Sequence, residues 1–281
     1  MGNPPVAVIT GTTHGIGTVT SHGLARAGYT VVMLCRNVQA ATVLAQDIGA
    51  RAPGSRIEVV HCDLASLSSV RAAAREVRER HPRIDRLINN AGIVSTWHRF
   101  SVDGHELTFA TNYLGPFLLT RLLLPALAPG TRIINVSSKV HYRGRVDLDS
   151  VDNPRASYNS IAAYARSKLA NVLDTFALAR RLAGTGITAN CLHPGVVATN
   201  LLPGWLNFIR PLFRRFILTP EQGARTTLYL ALNSQAATLH GEYLDEHQQV
   251  RPAARIAHDL LLQEQLLTRS ARWTGLNQAS A

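Results

Sequence analysis

A short apolar run, Pro5-Val6-Ala7-Val8-Ile9-Thr10, passes directly into Gly11-Thr12-Thr13-His14-Gly15-Ile16-Gly17, and a helical pattern follows from Thr18 to Gly28. β-Branched residues at that density suit a buried strand, and the glycines permit a turn too tight for side chains. Strand, glycine-rich turn and helix in succession form the setting for a dinucleotide phosphate. The backbone can approach the pyrophosphate, and the helix N-terminus offers it unpaired N–H groups. A glycine-rich turn alone says little. Here its flanks are right, and Thr-Gly-x-x-x-Gly-x-Gly is narrower than the general dinucleotide pattern. Gly11, Thr13, His14, Gly15, Ile16 and Gly17 are therefore the first candidates for cofactor contact. His14, in the variable part of the turn, either lies near phosphate or remains a neutral exposed imidazole.

The rest of the chain alternates in the same way. Apolar runs predict strands at 6–10, 29–35, 56–61, 86–89, 132–137, 188–193 and 242–244. Helical patterns fall at 16–27, 38–50, 67–80, 105–127, 160–183, 220–232 and 254–268. Repeated β-α alternation with short connections implies an α/β fold, a doubly wound parallel sheet of about seven strands with helices on both faces. Right-handed crossovers then place functional residues beyond the carboxyl ends of the strands. His193-Pro194-Gly195 ends the sixth strand, since proline and glycine prolong it poorly. At 281 residues and 46% hydrophobic content, one domain spanning 1–281 is expected to bury a single substantial core.

A second pattern carries chemistry. Tyr164-Ala165-Arg166-Ser167-Lys168 reads Tyr-x-x-x-Lys, and Ser137-Ser138 precedes it. Residues four apart share a helix face, so the Lys168 ammonium can sit beneath the Tyr164 hydroxyl. A free phenol has a pKa of about 10 and exchanges protons poorly at neutral pH. Lowering it by about three units needs roughly 4 kcal/mol of preference for the phenolate. One cation about 5 Å away supplies about 3 kcal/mol at an effective dielectric of about 20. A second cation, such as an oxidised nicotinamide ring, would supply the rest.

Together these segments resemble the short-chain dehydrogenase/reductase family in its standard-length form. The likeness continues through Cys62-Asp63-Leu64, Asn89-Asn90-Ala91-Gly92, Asn112-Tyr113-Leu114-Gly115, Asn135-Val136-Ser137-Ser138 and His193-Pro194-Gly195-Val196-Val197-Ala198-Thr199. Leu34-Cys35-Arg36, Ser167-Lys168-Leu169-Ala170-Asn171 and Thr219-Pro220-Glu221-Gln222-Gly223-Ala224 look most like its retinol-dehydrogenase-like branch. The resemblance implies a Rossmann-type fold and a nicotinamide-dependent oxidoreductase. Tyr164 would give a proton to a carbonyl oxygen or take one from an alcohol. Lys168 would lower its pKa and hold the nicotinamide ribose. Ser138 would hydrogen-bond the reacting oxygen, with Ser137 the alternative if the register is off by one. Asn112 would join a water-linked proton relay to Lys168, or else serve as a satisfied packing amide. Asp63 would hold the adenine amino group, Asn90 would line the groove, and Val197 and Thr199 would meet the carboxamide. Leu64, Ala91, Gly92, Pro194 and Gly195 complete the cofactor set, with Tyr164 and Lys168.

Arg36 closes the second strand, where the ribose 2′-position is read. A carboxylate there would bind the 2′-hydroxyl of NAD; a guanidinium pairs with a 2′-phosphate. No Asp or Glu competes at positions 34 to 38, so NADP(H) is expected, with Asn37 beside Arg36. The alternative is a surface arginine after a strand.

Other chemistries fit less well. There is no H-E-x-x-H and no cysteine–histidine ligand spacing, so no metal site is expected, and Gly-x-Ser-x-Gly is absent. The net charge of +11 is scattered and arginine-rich, without aromatic interleaving, which excludes nucleic acid as the expected partner. Cys35, Cys62 and Cys191 suit buried reduced thiols in a cytoplasmic protein. Met1 to Pro4 leads straight into the first strand, so neither a signal peptide nor an integral membrane segment is expected. The competing reading is a nucleotide-binding scaffold or redox sensor without turnover; retention of Asn112, Ser138, Tyr164 and Lys168 together argues against it.

Two segments bear on the substrate, expected to be a lipophilic small molecule. An insertion at about 141–159, rich in Arg, Asp, Ser and Asn, would lie at the cleft rim and hinder family-type helix pairing, leaving a monomer or homodimer. In the second, at about 200–219, Trp205, Phe208, Ile209, Leu212, Phe213, Phe216 and Ile217 form one apolar helical stripe interrupted by Pro211. It would act as a substrate lid, a subunit contact or a membrane-surface contact.

Overall fold

The computed structural model describes residues 4–148, 158–197 and 218–276. Seven strands form one parallel sheet in the order β3-β2-β1-β4-β5-β6-β7. They are β1 (Val6–Thr10), β2 (Thr30–Cys35), β3 (Ile57–His61), β4 (Ile84–Asn89), β5 (Leu127–Val136), β6 (Thr188–Leu192) and β7 (Tyr243–Leu244). The order reverses at β1, which pairs with β2 on one side and β4 on the other. A crevice therefore opens beyond the carboxyl ends of β1 and β4, where the chain turns in opposite directions.

Both faces of the sheet are covered, because its strands are apolar on both sides. Along β2, Val32 and Leu34 join one cluster with α3 (Leu67–Arg80), α5 (Gly115–Leu123) and α6 (Ser160–Leu182). Val31, Met33 and Cys35 join another with α1 (Ile16–Arg26), α2 (Val38–Arg51) and α7 (Pro220–Leu232). Adjacent strand residues Arg86 and Arg132 anchor α7 by its last carbonyls. Arg86 Nε donates to Ala231 O at 2.5 Å, and Arg132 donates to Leu230 O and Asn233 O at 2.9 and 2.8 Å. Cations at a helix C-terminus also oppose the helix dipole favourably.

The predicted helix at 105–127 is instead a succession of pieces. α4 (Leu107–Phe109) runs into a π-helical turn, Ala110–Leu114, then α5 and a 3-10 turn, Leu124–Ala126. Leu127, predicted helical, opens β5. The break falls at Asn112, whose buried amide bonds to the backbone of Ile93 rather than to its own helix. The predicted helix at 254–268 begins with a 3-10 turn, Arg255–His258. Asp259 then caps α8 (Leu260–Thr274) by accepting from Leu262 N at 3.0 Å, and the helix continues to a left-handed Gly275. α8 lies on α6: Leu266 and Leu267 share a cluster with Leu173 and Phe176, and the hydroxyls of Tyr113 and Ser270 are 2.8 Å apart. Among the described residues, no helix is long and apolar enough to cross a membrane.

Candidate active site

The crevice is shaped first by the β1–α1 turn. Gly11 and Gly15 have φ of +70° and +61°, a region that favours glycine. A Cβ on Gly17 would lie 2.1 Å from Gly11 O and 2.7 Å from Asn90 Nδ2. One on Gly11 would lie 2.7 Å from Ala91 Cα, so backbone fills the space side chains would need. Asn90 staples the two strand ends: Nδ2 donates to Thr10 O at 2.9 Å and Gly11 O at 3.0 Å, while Thr10 Oγ1 accepts from Asn90 N and Ala91 N. α1 then starts with no side-chain cap, and the buried Thr12 hydroxyl in the same turn has no hydrogen-bond partner among the described residues. Free N–H groups and an orphaned hydroxyl facing one turn fit an anionic diphosphate. His14 is exposed, with Nδ1 3.0 Å from Thr13 Oγ1.

Arg36 stands exposed one residue beyond β2, and Asn37 caps α2 by accepting from Ala40 N at 3.0 Å. Asp63 uses Oδ1 to accept from Ala65 N at 3.0 Å, which fixes its carboxylate beyond β3. Leu64 is buried; its carbonyl lies so close to Gly115 that a Cβ there would approach to 2.3 Å. After β6, Pro194 is buried and Gly195 has φ +84°, with Leu218 Cδ1 2.2 Å from where its Cβ would stand. Val197 packs against Ile16 at the start of α1 and Ala224 of α7, and forms a single parallel bridge with Leu218. Thr199, the apolar stripe from Trp205 to Ile217 expected to form a lid, and 149–157 of the insertion lie outside the described residues.

The reaction residues converge beyond β4 and β5. α6 presents Tyr164 and Lys168 on one face, with Lys168 Nζ 5.6 Å from the Tyr164 ring centroid. Nζ donates to Val136 O at 2.8 Å, and a Cβ on Gly92 would stand 3.4 Å from Nζ and 3.6 Å from Asn112 Oδ1. Asn112 is held on both sides: Oδ1 accepts from Ile93 N at 2.8 Å, and Nδ2 donates to Ile93 O at 2.9 Å and Ser167 Oγ at 3.1 Å. The two serines separate by strand alternation. Ser137 donates to Lys168 O at 2.9 Å, whereas Ser138 hydrogen-bonds the Tyr164 hydroxyl. Ser138, not Ser137, therefore shares the site with the phenol.

Burial sets the charge balance of the site. Burial pushes the Tyr164 phenol up to about 12, with the Ser138 hydrogen bond drawing it partly back. Burial also lowers Lys168 from 10.5 to about 8. Burial penalises each charged form taken alone, and for the phenol that penalty outweighs the hydrogen bond from Ser138. The site keeps Tyr164 protonated.

Several contributors carried no sequence signal of their own. Ser167 bridges Asn112 Nδ2 and Tyr164 O, and the Ile93 and Val136 backbones act through atoms common to every residue. His141, read as the start of a rim excursion, is wholly buried.

Known proteins agree with this geometry. The family model described as short chain dehydrogenase matches residues 5–207. Retinol dehydrogenase 13 of Homo sapiens is 40% identical over 284 residues, covering 97% of this chain and 85% of its own. Retinol dehydrogenase 14 of Mus musculus is 42% identical over 261 residues, covering 85% and 77%. A crystal structure of an uncharacterized protein from Mycobacterium paratuberculosis superposes with a TM-score of 0.81 at 33% identity, covering 98% of this chain and 97% of that one. With the motifs, the sheet order and these relatives in agreement, the chain belongs to the short-chain dehydrogenase family of oxidoreductases.

Proposed function

We propose that the protein is an NADP(H)-dependent oxidoreductase that transfers a hydride between nicotinamide and the carbonyl or alcohol carbon of a lipophilic substrate. The observation that carries this reading is the buried Tyr164 phenol, hydrogen-bonded to Ser138 and lying over Lys168, whose Nζ is beside Gly92. The dinucleotide, when bound, supplies the hydride donor or acceptor. The chain supplies the rest. The turn from Gly11 to Gly17, with Thr13, His14, Gly15 and Ile16, would hold the diphosphate at the uncapped end of α1. Asp63 and Leu64 would receive the adenine, with Asn90, Ala91 and Gly92 forming the floor. Pro194, Gly195, Val197 and Thr199 would border the nicotinamide end.

Tyr164 donates the proton that a carbonyl oxygen needs as it becomes an alcohol, and takes it back in the reverse direction. Held at about 12, the phenol is protonated at neutral pH, the form that gives a proton to a carbonyl oxygen. Ser138 steadies the reacting oxygen as charge accumulates there. Lys168 is fixed by Val136 O, and Asn112 faces it across Gly92, so a proton relay would leave by that route. The retinol dehydrogenases among the relatives support an apolar alcohol or aldehyde, and exposed Trp97 and Phe100 follow Gly92 on the loop beyond β4. α6 is buried along Ser167–Ala179 within one chain, which favours a monomer, or a homodimer built through another face.

An NADPH-coupled panel of ketones and aldehydes, with an NADP-coupled panel of alcohols, tests the proposal. Turnover concentrated among apolar members is the expected result. NADPH binding with no turnover anywhere in the panel would favour the scaffold reading instead. Cofactor choice has its own test. Arg36→Asp should raise the Michaelis constant for NADPH by about 10- to 100-fold through loss of one charge-assisted phosphate contact and gain of a repulsion. It should also narrow or reverse the NADPH/NADH ratio of kcat/KM. An unchanged ratio would transfer phosphate reading to another residue.

A further inference from the structure

One peptide unit in the site is gripped from both sides by imidazoles, and neither ring has a role in the chemistry above. The carbonyl of Ser138 accepts from His141 Nδ1 at 2.8 Å, and the N–H of the same peptide, on Lys139, donates to His193 Nδ1 at 3.1 Å. A peptide carbonyl only accepts and a peptide N–H only donates, which fixes both tautomers. His141 carries its hydrogen on Nδ1, and His193 on Nε2. The other nitrogen of His141 agrees, because Nε2 accepts from Ala254 N at 3.2 Å. Both rings are buried, and burial lowers both pKa values, that of His193 to about 4, so the two neutral tautomers persist at working pH.

The rings are themselves anchored on separate elements. His193 N donates to Leu244 O at 2.8 Å, at the end of β7. His141 packs against Tyr142 and Tyr243, with ring centroids 4.1 and 4.7 Å away, and reaches the segment before α8 through Ala254. This bracing matters because Ser138 lies just past the last ladder residue of β5, Val136. Among the described residues its own hydroxyl accepts just a long contact, 3.4 Å from Val140 N, besides the bond with Tyr164. Pinning the Ser138–Lys139 peptide fixes the carbonyl carbon of Ser138; with its nitrogen carried by the end of β5, the backbone bonds at Cα are set, and with them the direction of Cβ. Reacting groups need placement to within about 0.5 Å.

We propose that His141 and His193 are positioning residues that pin the Ser138–Lys139 peptide between them and so aim the Ser138 hydroxyl at Tyr164 and the reacting oxygen. The inference rests on the role assigned to Ser138 above. It extends the functional unit to two histidines outside the residues assigned to substrate and cofactor, and ties the serine to β7 and the turn before α8.

Asparagine separates positioning from mere packing. In His141→Asn, the amide Nδ2 stands near the lost Nδ1–H and can donate to Ser138 O, but nothing reaches Ala254 N. In His193→Asn, Oδ1 can accept from Lys139 N. Steady-state kinetics and thermal midpoints of the two alanine and two asparagine variants would be measured in the full-length protein. His141→Ala and His193→Ala are expected to lower kcat by about 10- to 100-fold, as displacement by about 1 Å does. The KM for NADPH should stay within about twofold, since the dinucleotide turn is not part of the clamp. Each asparagine variant should regain most of the kcat, even though His141→Asn stays as heat-labile as His141→Ala. If kcat instead follows the thermal midpoint across all four variants, the histidines only pack and the proposal is overturned. Ser138→Ala and the double variant Ser138→Ala/His141→Ala complete the set. Histidines acting through the serine make the double no slower than Ser138→Ala alone, whereas additive losses refute the clamp. Low kcat in Ser138→Ala with normal kcat in His141→Ala sinks the clamp and leaves the serine role standing. Normal kcat in Ser138→Ala removes the serine role, and the clamp falls with it.

Discussion

Tyr164→Phe should cut turnover by about 10²- to 10⁴-fold, the usual contribution of a positioned general acid, while the fold and the affinity for NADPH stay close to those of the parent. The substitution takes away one oxygen. The ring stays over Lys168, and α6 keeps its cap, in which Ile161 N and Ala162 N donate to Asn159 Oδ1. The lost hydrogen bond to Ser138 is worth about 1 kcal/mol, so the thermal midpoint should fall by only about 2 °C. Stopped-flow or steady-state reduction of the best panel substrate, beside a cofactor titration, measures both halves. A variant that binds NADPH normally and still turns over at near-parental rate would remove the phenol from its assigned role.

Lys168→Met should abolish most turnover and yet make the protein more stable, a combination that distinguishes a functional buried charge from a structural one. Burial moves the Lys168 pKa from 10.5 to about 8, a cost of about 3 kcal/mol for keeping the ammonium inside the protein. Methionine removes that cost but leaves Val136 O without its donor, which returns about 1 to 2 kcal/mol. A net gain of about 1 to 2 kcal/mol, or roughly 2–4 °C or more in Tm, is expected at pH 7. The pH dependence fixes the sign. The folded state releases the Lys168 proton at about 8 and the unfolded chain near 10.5, so between these values the unfolded state binds more protons and parental stability rises with pH. The advantage of the variant is therefore complete below pH 8 and fades by about 10.5. Equilibrium denaturation at pH 7, 9 and 10.5 reads it directly; an advantage independent of pH would mean that folding leaves the lysine pKa at its unfolded value and that burial exacts no charge penalty there.

What the sequence reveals about this molecule depends on how local the cause is. The β1 turn is legible because its glycines answer to contacts within the turn and with the next strand end. α7 matches its expected range because Pro220 at its start and the Thr219–Gln222 capping box act within one turn of chain. The stretch from 105 to 127 reads as one helix and is not, because its break is made by a bond from Asn112 to Ile93 on another element. The same limit applies to the site. Tyr-x-x-x-Lys gives the identity and spacing of two groups but not their burial, and burial decides the direction in which both pKa values move. The grip on Ser138 is still less legible. It requires the ends of β5, β6 and β7 and the segment before α8 to meet, and no spacing along the chain encodes that meeting.

The bridge between Val197 and Leu218 has a thermodynamic corollary. The entropy of bringing two points of a chain together grows only with the logarithm of the length between them, about 0.6 kcal/mol for each doubling. Adding or removing residues between these two positions therefore changes the cost of the join little, while the join itself stays wedged between Ile16 of α1 and Ala224 of α7.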